Sequence, residues 1–210
     1  MRRPLVKVCG MTQLQQVQAL AALGVNYAGF IFYPPSPRYV GNKIEPGALK
    51  QLEGIKKAGV FVNATMQEVK DAVVAYGLDT VQLHGDETPE YCGALKGAAT
   101  IVKVFRITGN EDVAHITAPY TAVADAFLFD TKAQEYGGTG KKFDWSGLQH
   151  AGLEHPYFLS GGIGPQDIDQ LRSFLKNNNV YALDLNSKFE TAPGIKDMKL
   201  LEAFMGSLGG

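Results

Sequence analysis

Cysteine is scarce in this chain: Cys9 and Cys92 are the only two among 210 residues. Two thiols without a CxxC pair exclude a disulfide framework and the spacings of redox or structural zinc motifs, and a reducing cytoplasm is their natural setting. Charge of one sign is lacking too, with 20 Lys and Arg against 21 Asp and Glu, a net charge of -1. That balance gives no footprint for nucleic acid or an anionic membrane surface, so any anionic ligand must be held by a local site. No apolar run is long enough to span a membrane. Lys7, Gln13, Gln15 and Gln16 interrupt the stretch where the core of a signal peptide would lie. His84, His115, His150 and His155 show no ligand spacing, so no metal is expected. Linkers and low-complexity tracts are absent as well, and residues 1–210 are expected to form one domain. Protein partners are not specified by any of these features.

What the chain does have is a recurring short apolar run. Leu5–Val8, Tyr27–Phe32, Ala58–Val62, Thr80–Leu83, Thr100–Phe105, Ala126–Phe129, Tyr157–Ser160 and Val180–Leu185 read as eight strands. Helix signals lie between most of them. Thr12 reads as an N-cap before Leu14, Val17 and Ala21, with Gly24 as the stop. Thr65 and Glu68 form a capping box, Thr88-Pro89 a cap with a first-turn proline, and Gly164-Pro165 opens a helix with Ile168, Leu171 and Leu175 on one face. The last helix carries Leu201, Phe204 and Leu208, whereas the connections after Phe105 and Asp130 are less clearly helical. Eight strands alternating with helices predict an α/β fold, a single compact (β/α)8 barrel with some short or irregular helices. A doubly wound open sheet is the competing architecture, and both put ligands at the carboxyl ends of the strands.

Those ends carry the chemistry. Val6-Lys7-Val8-Cys9-Gly10 delivers a thiol into a turn before a helix, although most free cysteines are small buried hydrophobes. Asp130 follows Phe127-Leu128-Phe129, where a carboxylate needs a partner or a job, the plain alternative being a cap on the next turn. Gly161-Gly162 brings bare N–H groups to the end of the seventh strand, and Asn186 and Ser187 add donors after the eighth, the two loops with which barrels bind phosphate. Arg38 follows Pro34, Pro35 and Pro37 on a stiff loop suited to holding a planar carboxylate. His84, at the end of the fourth strand, reads equally as a base or as a hydrogen-bonded rim residue. Tyr136–Lys142 does not fit the P-loop pattern and reads as a lid candidate, an ordinary flexible surface loop being the commoner alternative.

Taken in order, Lys7-Val8-Cys9-Gly10, Gly29-Phe30 through Ser36-Pro37-Arg38, Gln82-Leu83-His84-Gly85, Asp130 and Gly161-Gly162-Ile163 resemble the phosphoribosylanthranilate isomerase family over nearly the whole chain. The resemblance implies a cofactor-free barrel that carries out an Amadori rearrangement of an aminoaldose phosphate in tryptophan biosynthesis. It implies Cys9 as general base, Asp130 as general acid and Arg38 as clamp on the anthranilate carboxylate. His84 and Asp184 would also bind the substrate, and Gly161, Gly162, Asn186 and Ser187 the phosphate. Where family members often show Ser-Ser-Gly, this chain has Asn186-Ser187-Lys188, and Lys188 would add charge there. The resemblance expects the Cys9 thiol to shift towards thiolate or to lose its proton when substrate binds. Three rival readings are a nucleophilic Cys9 with His84 as base, the sister isomerase of histidine biosynthesis, which would use paired aspartates, and a non-catalytic phosphosugar-binding barrel.

Overall fold

The computed structural model describes residues 3–131, 145–149 and 152–209. Eight parallel strands close into a barrel in chain order. They are β1 Leu5–Val8, β2 Tyr27–Ile31, β3 Lys56–Phe61, β4 Thr80–Leu83, β5 Thr100–Ile107, β6 Ala126–Thr131, β7 Tyr157–Leu159 and β8 Ala182–Leu185. Closure is made by β1 against β8, with Lys7 opposite Asp184 and Val8 opposite Leu185. The open-sheet alternative is thereby excluded.

Two side-chain layers follow from the alternation of a strand. Tyr27, Val102, Val104, Ala126, Leu128, Phe158 and Ala182 fill the barrel interior. Val6, Val8, Phe30, Val81, Leu83, Ile101, Phe127, Phe129, Leu159, Leu183 and Leu185 point the other way, into the larger core shared with the helices. Both faces of every strand are thus covered, which is why the strands read as continuous apolar runs.

The helices are α1 Leu14–Ala22, α2 Pro46–Lys50, α3 Met66–Tyr76, α4 Pro89–Ala94, α5 Val113–Thr117, α6 Ser146–Gln149, α7 Ile168–Asn177 and α8 Met198–Gly209. The capping box at α3 is formed on both sides, Thr65 accepting from the Glu68 amide and Glu68 from the Thr65 amide. Thr88 caps α4 as expected, through the Tyr91 amide at 3.3 Å. Among the described residues the connection after β5 carries the short helix α5 and a 3₁₀ turn at Ala118–Tyr120, and that after β6 the short helix α6.

Several boundaries differ from the sequence reading. Thr12 does not cap α1: Gln13 holds that position without a side-chain bond, and the Thr12 hydroxyl donates to the Gly194 carbonyl at 2.6 Å. That carbonyl belongs to a small antiparallel hairpin, β9 Glu190–Ala192 and β10 Ile195–Lys196, which the sequence reading did not anticipate. Strand β6 runs on to Thr131, so Asp130 lies within its last turn of pleat, opposite Arg106 of β5. Ahead of α7 the Gly164-Pro165 signal first yields a 3₁₀ turn over Pro165–Asp167, fastened by the Gly164 amide donating to Asp167 Oδ2 at 2.8 Å. The lid candidate Tyr136–Lys142 falls outside the described residues.

Candidate active site

A recess at the carboxyl ends of the strands encloses about 690 Å³ including its mouth, a size suited to a small molecule. Its wall is the inward face of the barrel continued upward by one layer. Cys9, Val60, Gln82, His84, Asp130, Ser160, Gly161, Gly162, Asp184, Asn186 and Ser187 all line it. Every predicted site residue except Arg38 is therefore brought to one cavity.

Each is placed by local structure. The Cys9 amide extends the β1–β8 ladder by donating to the Leu185 carbonyl at 2.8 Å, which fixes the thiol on the inward face. Gly10 then turns the chain at φ +78°, and a Cβ there would lie 2.7 Å from Arg38 Cδ and 2.9 Å from Asn186 Oδ1. Only glycine lets the turn and the Arg38 loop meet. His84 follows β4, its amide bonded to the Phe61 carbonyl at 2.8 Å. Its Nδ1 lies 3.4 Å from the Gln82 amide nitrogen, and its Nε2 lies 3.5 Å from Asp130 Oδ2 without forming a hydrogen bond. Gln82 and Asp130 thus flank the imidazole on its two nitrogen edges, with Gln82 alone within hydrogen-bond reach. Asp130 also accepts from the Thr131 amide at 2.8 Å. Gly161 and Gly162 both adopt positive φ, +91° and +69°, as the chain leaves β7 along the cavity wall.

Arg38 is directed to Glu190 rather than into the cavity. Its guanidinium meets Glu190 of β9 in a forked contact, Nη2 to Oε2 at 2.7 Å and Nε to both oxygens at 3.0 Å. Lys196 of β10 joins the same carboxylate at 2.7 Å and donates to Asn186 Oδ1 at 2.8 Å. Burial pushes Glu190 upward, but the Arg38 and Lys196 contacts override it and hold the carboxyl below its usual range. Burial dominates for Lys196, whose amine is held below the lysine range despite Glu190. Lys188, by contrast, is exposed and does not line the cavity.

Lys7 is the residue the sequence reading passed over. Inward on β1, its ammonium meets both oxygens of Asp184 at 3.0 Å. Burial alone would lower the Lys7 amine, yet the Asp184 carboxylate raises it above the lysine range. Burial pushes Asp184 itself upward, the Lys7 ammonium pulling it back and Asp130 adding to the push. Burial likewise pushes the Cys9 thiol up, opposed by Lys7 and Lys196 and reinforced by Asp184. Of the two expectations for Cys9, the shift towards thiolate is corrected by that environment, which holds the thiol above its ordinary range. A charged residue on the inner face of a central strand was the one available signal for Lys7, since an inward lysine needs a buried partner. Glu190 and Lys196 gave no such signal, because their hairpin has no apolar alternation to announce it.

Comparison with known proteins bears on what this cavity does. The profile of the family described as N-(5'phosphoribosyl)anthranilate (PRA) isomerase matches residues 6–207. A protein of that name from Parabacteroides distasonis is 42% identical over 204 residues, covering 96% of this chain and 91% of the relative. The crystal structure of phosphoribosyl anthranilate isomerase from Thermotoga maritima superposes with a TM-score of 0.85 at 31% identity, covering 99% of each chain. A further isomerase structure, in complex with reduced 1-(o-carboxyphenylamino)-1-deoxyribulose 5-phosphate, gives a TM-score of 0.79 at 28% identity, again over 99% of both chains.

Proposed function

Because the chain belongs to the N-(5'-phosphoribosyl)anthranilate isomerase family, we propose that it converts N-(5'-phosphoribosyl)anthranilate to 1-(2-carboxyphenylamino)-1-deoxyribulose 5-phosphate, with Cys9 as general base and Asp130 as general acid. The observation that carries the residue assignment is their shared cavity: barrel closure brings a thiol at the end of β1 and a carboxyl at the end of β6 to opposite walls of one recess.

The chemistry needs that opposition. Asp130 gives its proton to the furanose ring oxygen, the ring C–O bond breaks, and the anilino nitrogen's lone pair forms an iminium at C1'. The iminium makes the C2' hydrogen acidic, and Cys9, having released its thiol proton to solvent, removes that hydrogen as the thiolate to leave an enolamine. Loss of the 2'-hydroxyl proton with protonation at C1' then gives the aminoketose, and solvent exchange restores Asp130 and Cys9 to their starting forms. Gly161, Gly162 and Ser187 receive the phosphate at the ends of β7 and β8, with Asn186 shaping the floor while its oxygen accepts from Lys196. Asp184 and His84 line the sugar's side of the cavity. Arg38 clamps the anthranilate carboxylate once that group displaces Glu190 from the guanidinium. The sister isomerase of histidine biosynthesis is disfavoured by Cys9, which stands where that reading needs an aspartate. The whole chain acts as one domain, takes this small molecule as its partner and works in the cytoplasm, a compartment in which the two unbridged thiols persist. Among the described residues no helix is long and apolar enough to cross a membrane.

The test is direct. Freshly made phosphoribosylanthranilate is supplied and its disappearance followed by fluorescence, comparing the parent protein with Cys9→Ala. Consumption by the parent and its loss in the variant supports the reading, and a parent no faster than buffer rejects it.

A further inference from the structure

Cys9 and Lys7 are two residues apart on one strand, so their side chains leave the backbone on the same inward face. Beside them on β2 stands Gly29. A Cβ at Gly29 would lie 2.9 Å from Cys9 Sγ, 3.0 Å from Cys9 Cα and 3.1 Å from Lys7 Cε. The thiol and the lysine stem thus converge on the one spot where the neighbouring strand has no side chain. The ammonium beyond that stem is pinned by the forked contact to Asp184, with both side chains almost wholly buried, at 2% and 6% exposure. Burying such a pair costs more than it stabilises unless geometry is good, and apolar residues of like volume usually serve a barrel interior as well. Its place immediately below the thiol points to a use.

We propose that Lys7 is a positioning residue for the isomerisation: its ammonium, seated under Cys9 by Asp184 and by the space at Gly29, is the counter-charge that receives Cys9 as a thiolate. The thiol proton leaves to solvent through the mouth of the cavity, no bond to carbon is made at sulfur, and the thiolate then takes the C2' proton. This inference rests on the reading of Cys9 as base. The charged and titratable groups facing the thiol are Lys7 of β1, Asp184 of β8 and Lys196 of β10, with Asp130 and His84 lining the same cavity. Lys7 and Lys196 favour the thiolate and Asp184 opposes it. Lys7 differs from Lys196 in lying on the thiol's own strand and in hydrogen-bonding the thiol as well as Asp184, whereas Lys196 is divided between Glu190 and Asn186.

The test titrates Cys9 without substrate, by the rate of alkylation with iodoacetamide across pH 7–10 on folded full-length protein, Cys92 being fully buried. Lys7→Met should slow alkylation at a given pH by about tenfold, the equivalent of one pKa unit, and lower kcat with little change in KM. Lys7→Arg should restore both in part. Asp184→Asn should move the titration the opposite way, speeding alkylation, and it serves as the deciding measurement if Lys7→Met does not fold. Unchanged alkylation profiles in Lys7→Met, or slower alkylation in Asp184→Asn, overturn the proposal. Failure of the base reading is separately visible, since turnover that survives Cys9→Ala removes the base whatever the titration shows.

Discussion

Among the described residues Lys103–Glu87, Lys7–Asp184 and Lys196–Glu190 are buried lysine–carboxylate pairs, and the first two differ in what surrounds them. Lys103, on the outer face of β5, meets Glu87 at 2.7 Å and donates as well to the Gly85 carbonyl at 2.8 Å. Glu87 in turn accepts from the Asn63 amide at 2.9 Å and the Gly85 amide at 3.1 Å. That pair is closed: its charges are consumed in bracing the loop after β4, just beyond His84. Lys7 and Asp184 have each other, a thiol above and a cavity beside them. Both pairs bear the cost of desolvation, and only the open one leaves its field directed at a reacting group. A buried ion pair is therefore read from the valences it leaves unused rather than from its distance.

The comparison is sharpened first by the cavity side. Asp130→Asn should lower kcat by about 10²- to 10⁴-fold, the usual contribution of a general acid, while calorimetry with the reduced product analogue shows affinity within a few-fold of the parent. Turnover that persists near the parent level would remove Asp130 from the acid's role. Next comes the closed pair. Lys103→Met leaves Glu87 buried and unpaired, and urea denaturation should register a loss of about 3–5 kcal/mol, with kcat of the remaining folded protein close to the parent value. A large fall in kcat at unchanged stability would mean that the pair outside the cavity is also part of the chemistry.

Glu190 offers a smaller break, one that depends on pH. Folding lowers its carboxyl below the usual value of 4.5, so the unfolded chain binds that proton more readily than the folded one. Its stabilising contribution is complete above the unfolded value and is lost as pH falls through the lower folded value. Glu190→Gln should accordingly lower the melting temperature at pH 7 and lower it less at pH 3. An equal drop at both would show that the carboxylate's charge is not what holds Arg38 and Lys196. The smallest effect is expected far from both pairs. Thr65→Ala removes one side of the α3 capping box and should cost about 1 kcal/mol in denaturation without altering kinetics.

Much of this architecture was legible. The alternation of apolar runs and capped helices identified eight strands, because the period of a strand and the chemistry of a cap are local properties. The strand-end position of Cys9, His84, Asp130, Gly161 and Asp184 placed them in one cavity once closure was granted. Thr12 was misread because its hydroxyl found a better acceptor in Gly194, 182 residues away, which no local pattern announces. The Glu190–Lys196 hairpin escaped for a similar reason: it is held by partners on the Arg38 loop and beside Asn186, not by its own propensity.

By itself, then, the sequence determined the number and order of the strands and which reactive side chains stand at the strand ends, since each depends on neighbours a few residues apart; which face of each strand turns inward was left to closure. Tertiary structure alone decided the pairings: Lys7 with Asp184 at a separation of 177 residues, and Arg38 with Glu190 at 152. Those contacts exist only after β1 meets β8. The shifts of Cys9, Lys7, Asp184 and Lys196 are set by burial and by partners that closure brings together, and neither is a property of the chain read in order.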